Sequence, residues 1–139
     1  MTAFDTDVMT LILQGKPEYQ QLLNAIPSPE QAIPVVVWEE VIRGRFNTVR
    51  QSEAKNARQT LVQAYALLYR SISDFRILKI LPYTADADVL FRSWRASGVN
   101  VKSHDLRIAA ICVAHDATLV SRNKRDFDKV PELKLSVWN

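Results

Sequence analysis

The sequence predicts an α/β fold, a three-layer α/β/α sandwich with a mainly parallel central sheet. Short apolar segments alternate with longer amphipathic ones, which indicates strands joined through helices. Such connections are right-handed crossovers, and they place helices on both faces of a sheet. The chain has 139 residues, 47% of them apolar and 24% charged, and it contains no repeat or linker. We therefore predict one domain spanning residues 1–139.

The first half of the chain is predicted to contain two strands. Residues 3–5 form a short strand, and residues 33–37 form a buried one because they are mostly β-branched and apolar. Helical segments are predicted at residues 8–13, 17–26, 39–50 and 52–71. The last of these carries apolar residues at spacings of three and four, as an amphipathic helix requires.

The second half is predicted to contain three strands, at residues 77–81, 117–120 and 135–137. Thr84 is placed to cap a helix that runs to Ala96, and Gly98 lies just beyond its end. Ser103 is predicted to cap the helix at residues 105–115 in the same way.

Composition excludes several classes of function. The single cysteine, Cys112, permits no disulfide framework within the chain, and three glycines are too few for a phosphate-binding loop. No apolar window approaches the length of a membrane span, and no leader segment is present, so we expect a soluble, cytoplasmic protein without a membrane partner. The net charge of +3 is a mild bias toward polyanions.

Four acidic residues stand just past a strand or at the start of a helix: Asp5, Glu40, Asp105 and Asp126. In a parallel sheet these places converge at one edge, where ligands bind. Carboxylate oxygens suit Mg²⁺ or Mn²⁺. Three of the acids also have a structural explanation, since the helix dipole favours Asp105, Glu40 can be solvated and Asp126 can form a surface ion pair. Asp5 is the exception, because the end of an opening strand is an unusual place for a charge unless something binds it. The combination predicts a metal site.

Sequence segments around these acids resemble the PIN-domain ribonucleases, and specifically the VapC-type toxins of bacterial toxin–antitoxin pairs. The segments are FDTD at residues 4–7, EVIRG at 40–44, DLRIAA at 105–110, ATLVSRN at 117–123, DF at 126–127, VPEL at 130–133 and VW at 137–138. The DLRIAA segment followed by ATLVSRN is the most specific part. Two positions depart from the usual pattern, Asp7 where many relatives have asparagine and Trp38 before the first helical acid.

The resemblance implies a PIN-like fold, an Mg²⁺- or Mn²⁺-dependent endoribonuclease, a homodimer and a VapB-type antitoxin partner. It assigns metal-binding and catalytic roles to Asp5, Glu40 and Asp105, and we expect the fourth acid to be Asp126, with Asn123 as a neutral neighbour.

Other polar residues near these segments are candidates for supporting roles. Thr6 and Ser121 can orient a carboxylate or a phosphate, or cap a helix locally. The basic side chains expected to hold the RNA backbone are Arg43, Arg45 and Arg122.

Three other classes of protein would require different features of the sequence. A metal-free ribonuclease would need His104 and His115 together, but eleven helical residues separate them by about 16 Å. A response-regulator-like domain would need an aspartate ending a mid-chain strand, where residues 52–71 are predicted to be helical. A PIN-like module that has lost catalysis and only binds proteins stays open, because Asp7 and Trp38 are atypical.

Overall fold

The central sheet is entirely parallel. The computed structural model describes all residues 1–139. Its five strands pair in the order β3-β2-β1-β4-β5, and every neighbouring pair is parallel. The predicted α/β class with a mainly parallel sheet is therefore confirmed. The strands are β1 (Thr2–Phe4), β2 (Gln31–Pro34), β3 (Lys79–Leu81), β4 (Thr118–Ser121) and β5 (Lys134–Val137).

Seven helices connect these strands. They are α1 (Thr6–Leu13), α2 (Pro17–Asn24), α3 (Val35–Ser52), α4 (Leu61–Phe75), α5 (Ala85–Ala96), α6 (Ser103–Ala114) and α7 (Lys124–Phe127). A single 3₁₀ turn, Ser28–Glu30, precedes β2. No helix combines the length and the apolar character that a bilayer span requires.

The strand order determines where the helices lie. The chain steps outward from β1 to β2 and β3, then returns to the other side of β1 to form β4 and β5. Right-handed crossovers place α1 to α4 on one face and α5 and α6 on the other. The pairs α3 with α4 and α5 with α6 pack closely, in agreement with that division. The point where the direction reverses lies between β1 and β4.

The core lies between the sheet and its two helical layers. Phe4, Ile33 and Leu119 from the three central strands have no exposed surface. Residues 108–112 of α6 are also fully buried, which explains why this helix is apolar on almost every side. Cys112 belongs to this core, as its apolar surroundings in the sequence indicated, and burial raises the pKa of its thiol to about 12.

The strand predicted at residues 33–37 is misplaced. β2 ends at Pro34, and Val35 to Val37 form the first turn of α3. Val36 and Val37 are buried there, so tertiary packing outweighs the weak helix propensity of β-branched residues. The shift matters because it places Glu40 in the second turn of a helix that begins directly at the edge of the sheet.

The single helix predicted at residues 52–71 is also wrong. Ser52 ends α3, and the chain turns through Asn56, whose φ is +63°, before α4 begins at Leu61. Thr60 and Gln63 form a capping box, in which each side chain accepts from the backbone N–H of the other. The regular spacing of apolar residues across the turn concealed this boundary.

Only one of the two predicted helix caps is present. Thr84 accepts from the backbone N–H of Ala87, and Gly98 has a φ of +87° beyond the end of α5. Ser103 is not a cap. It is the first residue of α6, and its hydroxyl oxygen accepts from the Arg95 guanidinium, while Lys102 occupies the cap position without a side-chain bond.

Two valines near helix starts test how stability depends on burial. Val37 has no exposed surface, whereas Val62 is 80% exposed. Val37→Ala should lower the free energy of unfolding by about 2 kcal/mol, because two buried methyl groups are lost and a cavity remains. Val62→Ala, the matched control, should change it by less than about 0.5 kcal/mol. Urea denaturation measures both, and equal losses would contradict the packing described here.

Candidate active site

The side chains at the carboxyl edge of the sheet are centred on Asp5. This residue follows β1 directly, and its N–H extends the ladder by donating to the Val120 carbonyl of β4 at 3.1 Å. Asp5 therefore lies at the point between β1 and β4 where the chain direction reverses. Open parallel sheets bind their ligands at such points.

Asp5 is 5% exposed, and both of its oxygens are hydrogen-bonded. Oδ1 accepts from the backbone N–H of Val8 at 2.9 Å, which caps α1, and Oδ2 accepts from the Ser121 hydroxyl. Burial raises the pKa of Asp5 to about 6, although the two hydrogen bonds oppose this, and the charges of Asp7 and Asp105 raise it further. Hydrogen bonds thus fix the carboxylate in a buried environment that disfavours its ionised form.

Glu40 faces the same edge from the second turn of α3. Its Oε1 accepts from the Thr6 hydroxyl at 2.8 Å. Thr6 is the first residue of α1, so this bond joins the helix after β1 to the helix after β2. Thr6 and Ser121, the two hydroxyl residues singled out in the sequence, each donate to one of the predicted acids.

Asp105 approaches from the opposite face, in the first turn of α6, and is half-buried. Burial raises its pKa, and so do the charges of Glu40, Asp126 and Asp7, while Lys102 lowers it. Asp105 is therefore within electrostatic range of Glu40, Asp126 and Asp7, and Asp5 is within range of Asp7 and Asp105.

Asp126 lies at the rim of this cluster and is engaged in a helix cap. Its carboxylate accepts from the Asn123 side-chain amide at 2.9 Å, and its N–H donates to Asn123 Oδ1 at 3.2 Å. These interactions, with the Lys129 ammonium 3.7 Å away, lower the pKa of Asp126. Asn123 also donates its backbone N–H to the Ser121 hydroxyl at 2.9 Å, so a continuous hydrogen-bonded path joins Asp126 to Asp5.

The three arginines expected near RNA have different surroundings. Arg43 forms an ion pair with Glu39, and Arg45 donates to the Ser71 hydroxyl at 2.8 Å, a contact that joins α3 to α4. Burial lowers the pKa of Arg45. Arg122 is exposed and makes no hydrogen bond or ion pair with the protein.

Lys102 is a further cation at this site that sequence reasoning missed. It is exposed, it precedes Asp105 by three residues, and its charge lowers the pKa of both Asp105 and Asp126. The signal available in the sequence was its position at the start of the helix that carries Asp105.

The donor set fits a hydrated hard cation. No three His, Cys, Asp or Glu side chains are arranged to hold an ion together by direct contact. Mg²⁺, however, keeps several waters and is commonly bound through one or two carboxylates, so ligands around it can act through water. All the acids at this edge offer oxygen donors, which suit Mg²⁺ and Mn²⁺.

The two histidines do not form a second site. His104 lies at the start of α6, with Nε2 3.6 Å from Glu39, and His115 follows its end, with Nε2 3.2 Å from the Pro82 carbonyl oxygen. Opposite ends of a three-turn helix cannot serve one phosphate as acid and base.

Comparison with known proteins identifies the family of this chain. The family model described as PIN domain matches residues 3–133, nearly the whole chain. The chain belongs to the PIN domain family. The resemblance found in the sequence is thereby confirmed.

This PIN domain is similar to ribonuclease VapC1 of Haemophilus influenzae strain R2866, with 21% identity over 136 residues, covering 96% of this chain and 95% of that one. Its fold matches DNA-bound VapBC from Salmonella typhimurium, with a TM-score of 0.75, 21% identity and full coverage of both chains. VapBC2 from Rickettsia felis, bound to a promoter DNA fragment, matches with a TM-score of 0.74 and 21% identity over 99% of this chain and 98% of that one.

The raised pKa of Asp5 predicts an unusual pH dependence of stability. The unfolded chain releases this proton near 3.8 and the folded protein near 6, so unfolding becomes easier as the pH rises between those values. Asp5→Asn removes the titration. We compare the free energy of unfolding of Asp5→Asn with that of the wild type, both in EDTA. The value for the variant minus that for the wild type should increase by about 2–3 kcal/mol between about pH 4 and about pH 7.

Urea denaturation at the two pH values measures this difference. Asp116→Asn is the control, because Asp116 is exposed and its ion pair with Lys134 lowers its pKa. The control variant should instead lose stability relative to the wild type as the pH rises. A difference between wild type and Asp5→Asn that stays constant with pH would contradict the assigned environment of Asp5.

Proposed function

We propose that this single-domain protein, residues 1–139, is a divalent-metal-dependent endoribonuclease that hydrolyses phosphodiester bonds in RNA. The observation that carries the proposal is the meeting of carboxylates from β1, α3, α6 and α7 at one edge of the sheet, where Asp5 and Asp105 have raised pKa values. Carboxylates that repel one another in a shared site favour a cation. The similarity to ribonuclease VapC1 supports the same chemistry.

In this proposal Asp5 and Asp105 would hold Mg²⁺, or Mn²⁺ in its place, and Glu40 and Asp126 would complete the shell through water, because no three acids are arranged for direct contact with one ion. The chemistry that such an ion would supply is a lowered pKa of a water molecule and compensation of the charge that develops on phosphate oxygens.

The protein supplies orientation around that centre. Ser121 holds the Asp5 carboxylate, and Thr6 holds that of Glu40, so both ligands are fixed before substrate arrives. Asn123 fixes the Asp126 carboxylate through its amide. Arg122 binds the RNA backbone, and Arg43 joins it once the ion pair with Glu39 opens.

We also propose that the protein is the toxin of a VapBC-type pair, a homodimer inhibited by a VapB-type antitoxin in the cytoplasm. The solved structures that share its fold include complexes named VapBC. A protein partner is further supported by a stripe of exposed apolar side chains along α4, at spacings of three and four: Val62, Tyr65, Tyr69 and Ile72.

The other function considered is a catalytically silent protein-binding module. The exposed apolar side chains along α4 would be equally consistent with such a protein-binding module. The burial of Asp5 argues against it, because a neutral Ser, Thr or Asn could cap α1 without the cost of burying a carboxylate at the sheet edge.

An RNA cleavage assay separates the two functions. Wild type should cleave single-stranded RNA in Mg²⁺ and not in EDTA. Asp5→Asn and Asp105→Asn should each lower the rate by at least about a hundredfold, because both remove a metal ligand. Asp86→Asn on α5 is the control, and it should cleave at the wild-type rate because Asp86 lies in the first turn of another helix. Cleavage that persists in EDTA would refute the metal-dependent mechanism.

Metal binding can be tested apart from catalysis. Mg²⁺ at tenfold its dissociation constant should stabilise the folded protein by about 1.4 kcal/mol, because the ion relieves the repulsion among the acids. The melting temperature should therefore rise by several degrees for the wild type and for Asp86→Asn. It should stay unchanged for Asp105→Asn. A wild-type melt insensitive to millimolar Mg²⁺ would contradict the shared site.

A further inference from the structure

A polar cavity of about 340 Å³ opens beside the carboxylate cluster, on the side of β5. Asp7, Arg122, Asn123 and Asn139 line it, and no apolar side chain does. These residues follow the carboxyl ends of β1, β4 and β5, three neighbouring strands of the sheet. We call this cavity the β5-side pocket.

The β5-side pocket is continuous with the site of the proposed chemistry. Asn123 donates its backbone N–H to the Ser121 hydroxyl, which in turn donates to Asp5. Asp7 lies two residues beyond Asp5, in the first turn of α1, and its charge raises the pKa of both Asp5 and Asp105. A polymer whose scissile phosphate meets the carboxylates can therefore reach this pocket.

The two charged side chains of the pocket are available to a ligand. Asp7 and Arg122 are both exposed, and neither takes part in a hydrogen bond or salt bridge through its side chain. A guanidinium matches a phosphate in geometry and charge. A carboxylate can only accept hydrogen bonds, and it repels a phosphate, so a group of the RNA that contacts Asp7 must be a hydrogen-bond donor.

The hydrogen-bond donors of an RNA chain are the amino and imino groups of its bases and the 2′-hydroxyl of its ribose. Bound single-stranded bases stack on aromatic or apolar surfaces, and the pocket has none. The sugar–phosphate backbone is therefore the part that fits. The 2′-hydroxyl is the donor in that backbone which DNA lacks.

We propose that the β5-side pocket binds the ribose phosphate next to the scissile bond, with Arg122 on the phosphate and Asp7 accepting from the 2′-hydroxyl. This inference rests on the proposed ribonuclease function and extends it. Asp7 then determines the choice of RNA over DNA, and Arg122 contributes affinity for either polymer.

Two substitutions of Asp7 separate its charge from its acceptor oxygen. Asp7→Ala removes both, whereas Asp7→Asn keeps an oxygen that can accept from the hydroxyl. The probes are a short fluorescent single-stranded RNA of mixed sequence and a single-stranded DNA of the same sequence. Binding of each probe is measured by fluorescence anisotropy in the presence of Ca²⁺. Wild type and Asp7→Asn should bind RNA about tenfold more tightly than DNA, and Asp7→Ala should bind the two equally.

Arg122→Gln should weaken binding of RNA and DNA by the same factor and lower the salt dependence by about one counterion. Arg76→Gln is its control, since Arg76 is exposed at the end of α4, near the amino end of β3 at the opposite edge of the sheet. It should leave RNA and DNA affinities unchanged.

Equal affinity of the wild type for RNA and DNA would overturn the inference. So would a preference for RNA that survives in Asp7→Ala, or that is lost equally in Asp7→Asn. The same probes incubated with Mg²⁺ report on cleavage. If the wild type discriminates by Asp7 but cleaves nothing, the pocket stands and the nuclease function fails. If the wild type cleaves RNA but Asp7 does not determine the preference for RNA over DNA, the nuclease function stands and the assignment of the pocket fails.

Discussion

The buried carboxylate of Asp5 is the constraint on which the site depends. A carboxylate removed from water is costly unless hydrogen bonds replace its hydration. Those bonds come from Val8 at the start of α1 and Ser121 at the end of β4. Because the two donors meet only when β1 and β4 are neighbours, the charged group can be accommodated only in the completed sheet. Fold and site are thus coupled through one side chain.

Environment divides the acids of the site into two kinds. Burial and neighbouring charge raise the pKa of Asp5 and Asp105, whereas hydrogen bonding from Asn123 lowers that of Asp126. Near neutral pH the outer acid therefore attracts cations without competition from protons, while the inner pair, whose ionised form is disfavoured by burial, gains most from a bound cation. The site thus combines an ionised outer acid, Asp126, with an inner pair, Asp5 and Asp105, whose negative charge is best compensated by a cation.

The sequence predicted the fold class, because strand alternation is a local pattern with a known consequence. It also predicted candidate acids after strands or at helix starts, the positions that face the carboxyl edge of a parallel sheet. It misplaced β2 because Val36 and Val37 favour strands locally and become helical only through burial. The sequence identified Ser121 and Thr6 as possible hydrogen-bond donors but could not show which carboxylate each one contacts. Ser121 is 116 residues from Asp5, and Thr6 is 34 residues from Glu40. Pairing over such distances is decided by topology.

The two outer strands of the sheet have a consequence for aggregation. β3 and β5 are only three and four residues long, and each begins with an exposed lysine, Lys79 or Lys134. Short edges that carry lysine resist the addition of strands from other molecules, which is how fibrils grow. Crowded copies of this chain are therefore protected from cross-β stacking through the edges of the sheet.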